Sequence, residues 1–196
     1  MREIISLTQE EIELITRGDH SKAMHIYQDT VLEELQVLKA NCIEINPTDV
    51  HLKTLIARMY QTVTDGDRSG VGIAAPQVGV NRRIFLVKRY DKINEPFEFF
   101  INPQIVWYST LLQQGQEGCL SIEDRYDTVY RSLAVHITYF DLEGKQYQEV
   151  VEGYTAVILQ HEYDHLNGVL FTDRIEEQVQ RKYRDATEEI PLVYEV

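Results

Sequence analysis

Hydrophobic and polar positions along this chain follow two different periods, and the change falls near residue 66. Across residues 8–41 the apolar positions recur every three or four residues, which is the period of a helix. A second amphipathic stretch covers residues 52–60, after a turn in which Thr48 or Asp49 is expected to act as helix cap, and it runs to about Gly66. The first third of the chain is therefore predicted to be helical.

Beyond residue 66, β-branched and aromatic runs bounded by Asn, Pro or Gly predict strands. These runs cover residues 83–88, 97–102, 105–108, 128–130, 134–140 and 146–152. The last two flank a turn that ends at Gly144, so they are predicted to form a hairpin. The hairpin leads into a helix that Asn167 and Gly168 would end. Residues 115–121 are predicted to be a turn, and residues 176–189 have helical character.

The predicted fold class is α+β, with small antiparallel sheets around one buried helix. The chain has 196 residues, which is enough for one domain with a sizeable core. It carries 19 basic and 32 acidic residues, and the resulting net charge of −13 argues against a nucleic acid or an anionic membrane as the main partner.

The same sequence lacks the usual signals for export or membrane insertion. No run of about 18 apolar residues predicts a membrane helix. The N-terminus turns acidic too early for a signal or transit peptide. Cys42 and Cys119 are therefore expected to stay reduced, and the predicted location is the cytoplasm.

Residues 160–165, which read Gln-His-Glu-Tyr-Asp-His, indicate half of a metal site. On a helix His161 and His165 lie four residues apart on one face, so both imidazoles can bind one cation. Glu162 lies one step round the helix, which suits a general base acting on a metal-bound water. The alternative is that two histidines and a glutamate share an amphipathic helix by chance.

A catalytic metal site normally needs a third protein ligand, and Cys119 is the candidate. It lies in a glycine-containing segment, residues 115–121, where a thiolate can approach a metal without the constraints of a helix. The alternative for a single cysteine is a small buried apolar side chain, and that interpretation is preferred for Cys42.

Residues 69–79 are rich in glycine and alanine but lack the spacing of a nucleotide-binding loop. Small residues also permit another backbone to approach closely, as when an extended peptide pairs with a strand edge. Gln77 stands out in this segment as a neutral donor that can face a developing oxyanion.

Together these three segments resemble the peptide deformylases. The family motifs Gly-x-Gly-x-Ala-Ala-x-Gln, Glu-Gly-Cys-x-Ser and His-Glu-x-x-His occur in that order at residues 70–77, 117–121 and 161–165. The resemblance covers about residues 29–175 and includes Asn102 and Pro103. It implies that the antiparallel sheets surround a central metal-binding helix.

The resemblance also implies a hydrolase that removes the formyl group from the N-terminal methionine of newly made polypeptides and releases formate. Cys119, His161 and His165 would bind one divalent metal ion together with a water. Fe(II) is the ion expected in the cell, with Ni, Co or Zn as substitutes. The partners would be formyl-methionyl nascent peptides, with the ribosome as one place of encounter, and neither nucleic acid nor a membrane would be contacted directly.

Roles for three further groups follow from the same resemblance. Glu162 would take the proton of the attacking water. The side-chain amide of Gln77 and the backbone N–H of Leu120 would donate to the oxyanion.

The resemblance implies where the substrate would bind. An extended peptide would lie along Gly70, Val71 and Gly72. Its methionine would enter an apolar pocket lined by Val71, Tyr154, Val157 and Ile158. The alternative for the four pocket residues is ordinary core packing.

Three charged residues would support the site. By resemblance Glu117, Arg131 and Asp164 would orient the segment that carries Cys119 and the helix. An ordinary, partly buried ion pair is the alternative interpretation of these charges.

Two features depart from the family pattern. Many bacterial members have a substrate-binding arginine seven positions after the cysteine, whereas here Tyr126 occupies that position and Arg125 precedes it. A small local shift would let Arg125 bind the substrate instead of Tyr126. Residues 1–28 are predicted to be a helical N-terminal extension, and residues 29–196 a single catalytic domain.

Two other functions explain part of the pattern. A zinc peptidase shares the His-Glu-x-x-His motif, but its third ligand normally follows the helix, where this chain offers only Asp173, Glu176 or Glu177. A catalytically weak relative of the deformylases, retained as a peptide-binding protein, is the second alternative. Turnover of a formyl-methionyl peptide, compared with binding alone, separates that protein from an enzyme.

Overall fold

A computed structural model describes residues 5–66, 69–187 and 192–196. Its helices are α1 (Gln9–Thr16), α2 (Leu32–Leu38), α3 (Leu52–Val63), α4 (Gly153–Leu166) and α5 (Phe171–Gln178), with a short 3-10 helix at Ala75–Val78. Its strands are β1 (Gly72–Ala74), β2 (Ile84–Lys88), β3 (Phe97–Tyr108), β4 (Leu111–Cys119), β5 (Ile122–Ser132), β6 (Ala134–Phe140), β7 (Gln146–Glu152), β8 (Tyr183–Asp185) and β9 (Leu192–Glu195). The predicted α+β class is confirmed. None of the described helices is long and apolar enough to cross a membrane.

The prediction of a helical N-terminal region is wrong over much of its length. α1 is capped by Thr8, whose side chain accepts from the Glu11 N–H, but this helix already ends at Thr16. Asp19 then accepts hydrogen bonds from the N–H and the hydroxyl of Ser21, a local turn that competes with helix formation. Helix returns only with α2.

The start of α3 also differs from the prediction. α3 begins at Leu52, and neither Thr48 nor Asp49 caps it. Asp49 instead accepts from the His51 N–H within the preceding turn, at 3.0 Å.

The strands form two antiparallel sheets with the orders β1-β2-β3-β6-β7 and β5-β4-β9-β8. The predicted hairpin is β6–β7, which pairs from Ala134 opposite Glu152 to Phe140 opposite Gln146. β1 lies at the edge of the five-stranded sheet. Among the described strands, none pairs with its outer side, so backbone donors and acceptors there can bind another chain.

Two predictions for the four-stranded sheet are wrong. Residues 115–119, predicted as part of a turn, form the end of β4 and pair with β5. The sequence did not predict this strand, because its glycines and polar residues are not typical of β structure. Residues 176–189 were predicted to be helical, but α5 ends at Gln178. The chain then forms β8, which pairs with β9. The last two residues of the predicted stretch lie outside the described ranges.

Helix α4 is held on an apolar support. Ile158 and Leu159 pack in one buried cluster with Phe85 of β2 and Val135 of β6. Because the surrounding side chains are closely packed, the polar residues of α4 are held in fixed positions at the end of β4.

Candidate active site

The two histidines of α4 lie next to the end of β4. His161 and His165 are one helical turn apart, with ring centroids separated by 5.1 Å. Cys119 is the last residue of β4, and its Sγ lies 3.3 Å from Nε2 of His165. One donor atom from each of the three residues lies within 4.8 Å of the other two. In the described parts of the chain this is the one cluster of three or more such residues.

These three residues fit a divalent metal ion. A thiolate and two imidazoles are a ligand set that Zn, Fe, Co and Ni accept, with a position left for water. Burial raises the pKa of the Cys119 thiol, but the electrostatic interaction with His165 and a hydrogen bond with His161 outweigh burial and lower that pKa to about 5. Cys119 is thus readily present as the thiolate, which is the form that binds metals.

Glu117 fixes the orientation of His161. Its Oε2 lies 2.9 Å from Nδ1 of His161, which leaves the other ring nitrogen free to bind a metal. Arg131 holds Glu117 by two hydrogen bonds, from Nε at 2.8 Å and from Nη2 at 2.9 Å. Burial raises the pKa of Glu117, but the charge of Arg131 outweighs burial and lowers it to about 2. Glu117 is therefore a permanent carboxylate that accepts from His161.

Arg131 also connects this pair to α4. Its Nη1 donates to Asp164, which accepts from Nε of Arg174 at 2.9 Å. The structure thus brings together the predicted Glu117, Arg131 and Asp164 in one buried chain of ion pairs. Arg174 completes this chain, and nothing in the local sequence singled it out.

Glu162 is buried beside the cluster, with 4% of its surface exposed. Its Oε2 has no hydrogen-bond partner within the described residues. Burial raises the pKa of Glu162 to about 7, and a carboxyl with such a pKa can both accept and return a proton near neutrality. A Cβ at Gly72 would overlap the Glu162 carboxylate, so a glycine is needed for β1 to approach α4 this closely.

Gln77 lies in the 3-10 helix and is almost fully buried. Its Oε1 accepts from the Ala74 N–H at 2.8 Å, which directs its Nε2 toward the metal-ligand cluster. There Nε2 lies 3.2 Å from Oγ of Ser121 and 3.5 Å from Sγ of Cys119. The amide therefore presents a donor to the site, as oxyanion stabilisation requires.

One cavity of about 320 Å³ lies in front of these groups. The predicted site residues that line it are Gly70, Val71, Gly72, Gln77, Glu117, Cys119, Leu120, Tyr126, Tyr154, Val157, Ile158, His161 and Glu162.

Arg125 does not belong to this lining. The register of β4 and β5 is irregular beside Cys119 and places Tyr126 opposite Gly118. The local shift that would exchange Tyr126 for Arg125 is therefore not present. β1 also begins only at Gly72, although Val71 just before it still accepts from the Lys88 N–H at 2.8 Å.

Sequence reasoning did not assign a role to two residues that contact the site. Ser121 is fully buried and accepts from Gln77, and its place within the Glu-Gly-Cys-x-Ser motif was the available signal. Gln28 donates through Nε2 to the carbonyl of Leu120 at 3.1 Å, across 92 positions of sequence, and no local pattern could have indicated it.

A thiolate and two imidazoles beside a buried carboxyl, on an α+β scaffold with a cavity in front, define a metal-dependent hydrolase. The chain matches the polypeptide deformylase family model over residues 26–181, and it belongs to that family.

Individual relatives agree with this assignment. The peptide deformylase of Synechocystis sp. is 39% identical over 142 residues, which cover 72% of this chain and 75% of the relative. The structure of the enzyme from Synechococcus elongatus in complex with actinonin matches with a TM-score of 0.71 and 34% identity, over 81% of this chain and 86% of that one. The Met-Ala-Ser-bound class I type b enzyme from Acinetobacter baumannii matches with a TM-score of 0.69 and 34% identity, over 79% of this chain and 99% of that one.

Proposed function

We propose that this chain removes the formyl group from the N-terminal formyl-methionine of newly made polypeptides and releases formate. The observation that carries the proposal is the cluster of Cys119, His161 and His165, with the unpartnered Glu162 carboxyl beside it in the same cavity. The names of the relatives and the Met-Ala-Ser peptide bound by one of them support it.

Cys119, His161 and His165 would hold one divalent cation, with Fe(II) proposed as the ion used in the cell. Such an ion acts as a Lewis acid and lowers the pKa of a bound water toward neutrality. Glu117 keeps His161 in the required tautomer through its bond to Nδ1. Arg131 and Asp164 would position Glu117 and α4 and would not touch the substrate.

Glu162 would take the proton of the attacking water and pass it to the departing amine. Its burial and its pKa of about 7 suit both steps, since the carboxyl is ready to gain and to lose a proton. The charge that develops on the formyl oxygen would be met by Nε2 of Gln77 and the backbone N–H of Leu120. Gln77 is held for this purpose by its bond to Ala74.

The substrate would pair with the free edge of β1 and with Val71 and Gly70 just before it. Main-chain pairing of this kind is independent of sequence, so many different N-termini are accepted. Val71, Tyr154, Val157 and Ile158 line the cavity and would surround the methionine side chain. The proposed substrates are nascent chains, so the proposed setting is the cytoplasm and the neighbourhood of the ribosome.

The direct test is formate release from formyl-Met-Ala-Ser by protein purified without oxygen and loaded with Fe(II) or Ni(II). Glu162→Ala is expected to lower kcat by roughly 10²- to 10⁴-fold, the usual contribution of a general base. Glu143→Ala, a change at an exposed glutamate in the β6–β7 turn, serves as the matched control and is expected to leave kcat unchanged.

Absence of turnover in the metal-loaded wild type would contradict the proposed function. Tight binding of the same peptide under those conditions would then favour a peptide-binding protein. The zinc-peptidase alternative is less compatible with the geometry, because the residue that joins His161 and His165 in the cluster is Cys119, which precedes the helix.

A further inference from the structure

The ring of Tyr126 on β5 packs against a glycine on the neighbouring strand β4. The register places it directly opposite Gly118. A Cβ on Gly118 would lie 2.5 Å from Cε1 and 2.7 Å from Cδ1 of the Tyr126 ring, so the ring covers the place where any larger residue would put its side chain. An aromatic ring packed over a cross-strand glycine is held in a defined orientation.

The ring nevertheless remains open to solvent. Tyr126 is 74% exposed, more than any other Phe, Tyr or Trp in the described part of the chain. It also lines the cavity that contains Cys119 and Glu162. One side of the ring packs against Gly118, and the rest of the ring is exposed at the rim of the cavity. The ring is therefore an apolar surface that a ligand can contact.

The described lining of this cavity carries acidic groups, Glu117 and Glu162, and contains no lysine or arginine. Arg131 lies behind Glu117 and is almost fully buried. Arg125 is also outside the lining. A substrate carboxylate within this cavity would therefore meet no lysine or arginine of the described lining, whereas an apolar or aromatic side chain would gain contact with the Tyr126 ring.

We propose that Tyr126 is a specificity-determining residue whose ring stacks on a side chain that follows the methionine of the substrate. Selection beyond the methionine then depends on apolar and aromatic contact, and the free carboxylate end of a short peptide is not recognised. This inference rests on the proposed function, since it takes the cavity as the binding site of a formyl-methionyl peptide.

Equilibrium binding tests the inference independently of turnover. Calorimetry would use the metal-loaded Glu162→Gln variant, alone and combined with changes at Tyr126. The peptide amides would be formyl-Met-Ala-Ala, formyl-Met-Phe-Ala and formyl-Met-Ala-Phe. At least one phenylalanine peptide is expected to bind about three- to tenfold more tightly than the alanine peptide, the range for one aromatic contact.

That gain should vanish with Tyr126→Ala and persist with Tyr126→Phe, because it comes from the ring and not from the hydroxyl. Tyr126→Arg should make the free acid of formyl-Met-Ala-Ala bind more tightly than its amide, a preference that Tyr126 itself does not give. Tyr147→Arg, which adds the same charge at an exposed tyrosine of β7 outside the cavity, is the control and should not create this preference.

The inference is overturned if no phenylalanine peptide binds more tightly than the alanine peptide. It is also overturned if the affinity gain from phenylalanine is the same with and without the Tyr126→Ala substitution. Formate release by the wild-type protein tests the proposed function separately. A protein that releases no formate contradicts the proposed function, whereas a phenylalanine gain that does not depend on Tyr126 contradicts only this inference.

Discussion

Gly72 determines where the Glu162 carboxylate can lie. A Cβ at this position would overlap that carboxylate, and the buried side chain has little room to move. We expect Gly72→Ala to lower kcat by at least about tenfold, because displacing a proton-transfer group by a fraction of an ångström disrupts its alignment. Formate release measures the effect, and metal analysis should show an unchanged metal content.

Gly115 offers a matched control for this substitution. It lies on β4, and a Cβ there would meet no heavy atom within 4 Å. Gly115→Ala should therefore retain activity. Equal losses of kcat in both variants would argue against a specific contact between residue 72 and Glu162.

The proximity of His161 and His165 could be predicted because helix geometry alone places residues 161 and 165 on one face. Cys119 followed from its motif, although its segment was taken for a turn and is the end of a strand. Arg174 and Gln28 could not be predicted, since their contacts with Asp164 and Leu120 depend on how distant elements pack.

The segment that precedes α2 binds both parts of the chain that carry the proposed oxyanion donors, namely the 3-10 helix with Gln77 and the β4–β5 connection with Leu120. The Tyr27 N–H donates to the carbonyl of Gln77 at 2.8 Å, and the Asp29 N–H donates to the carbonyl of Ser121 at 3.0 Å. Between them Gln28 donates to the carbonyl of Leu120. This short segment therefore holds the 3-10 helix and the β4–β5 connection at a fixed separation.

We expect Gln28→Ala to lower kcat about three- to tenfold with little change in KM, as loss of one positioning hydrogen bond of roughly 1 kcal/mol would. Steady-state formate release would measure both constants. Gln36→Ala, at an exposed position of α2, is the control. A change in KM alone, or equal kcat in the two variants, would contradict a positioning role for Gln28.

The long-range hydrogen bonds of this segment also explain why the N-terminal helix prediction failed, because the N–H groups of Tyr27 and Asp29 bind distant carbonyls instead of helical ones. Met24 is buried in the core beside α3, whose Thr62 hydroxyl accepts from the Met24 N–H, whereas Val31, one of the positions that gave the helical period, is exposed. Strands β2, β3 and β6 were predictable from their β-branched and aromatic runs, and β7 from the turn at Gly144 that pairs it with β6. β4 was not, since its pairing with β5 compensates for a sequence with little β preference.

The N-terminal part of the chain packs into the same core as the rest of the molecule. Leu7, Ile15 and Met24 belong to one cluster with residues of α3 and β1. Arg82 donates to the Glu11 carboxylate from Nε and Nη2, both at 2.8 Å. The separation of residues 1–28 as an extension stays a prediction, but these contacts make the unfolding of α1 and of the core interdependent.

The Glu11–Arg82 pair predicts a pH-dependent contribution to stability. Burial raises the pKa of Glu11, but the hydrogen bonds and charge of Arg82 outweigh burial and hold it below its usual 4.5. The unfolded chain thus binds the proton more readily, so the contribution is complete above about pH 4.5 and is lost as pH falls through the lower folded pKa.

Urea unfolding of Glu11→Gln should show a loss of about 1–2 kcal/mol at pH 7, and the difference from wild type should shrink below pH 4.5. Glu10→Gln, on the exposed side of the same helix turn, is the control. A difference that is independent of pH would show that the charge of Glu11 does not stabilise the fold.

The proposed pairing of the substrate with the free edge of β1 sets a condition on the timing of the reaction. An edge strand can pair only with a backbone whose own N–H and C=O groups are not yet committed. An N-terminus that has entered a helix or a sheet no longer offers such groups. We therefore expect the enzyme to compete with the folding of its own substrates, so that a slowly folding N-terminus is processed more completely than one that folds as soon as it emerges.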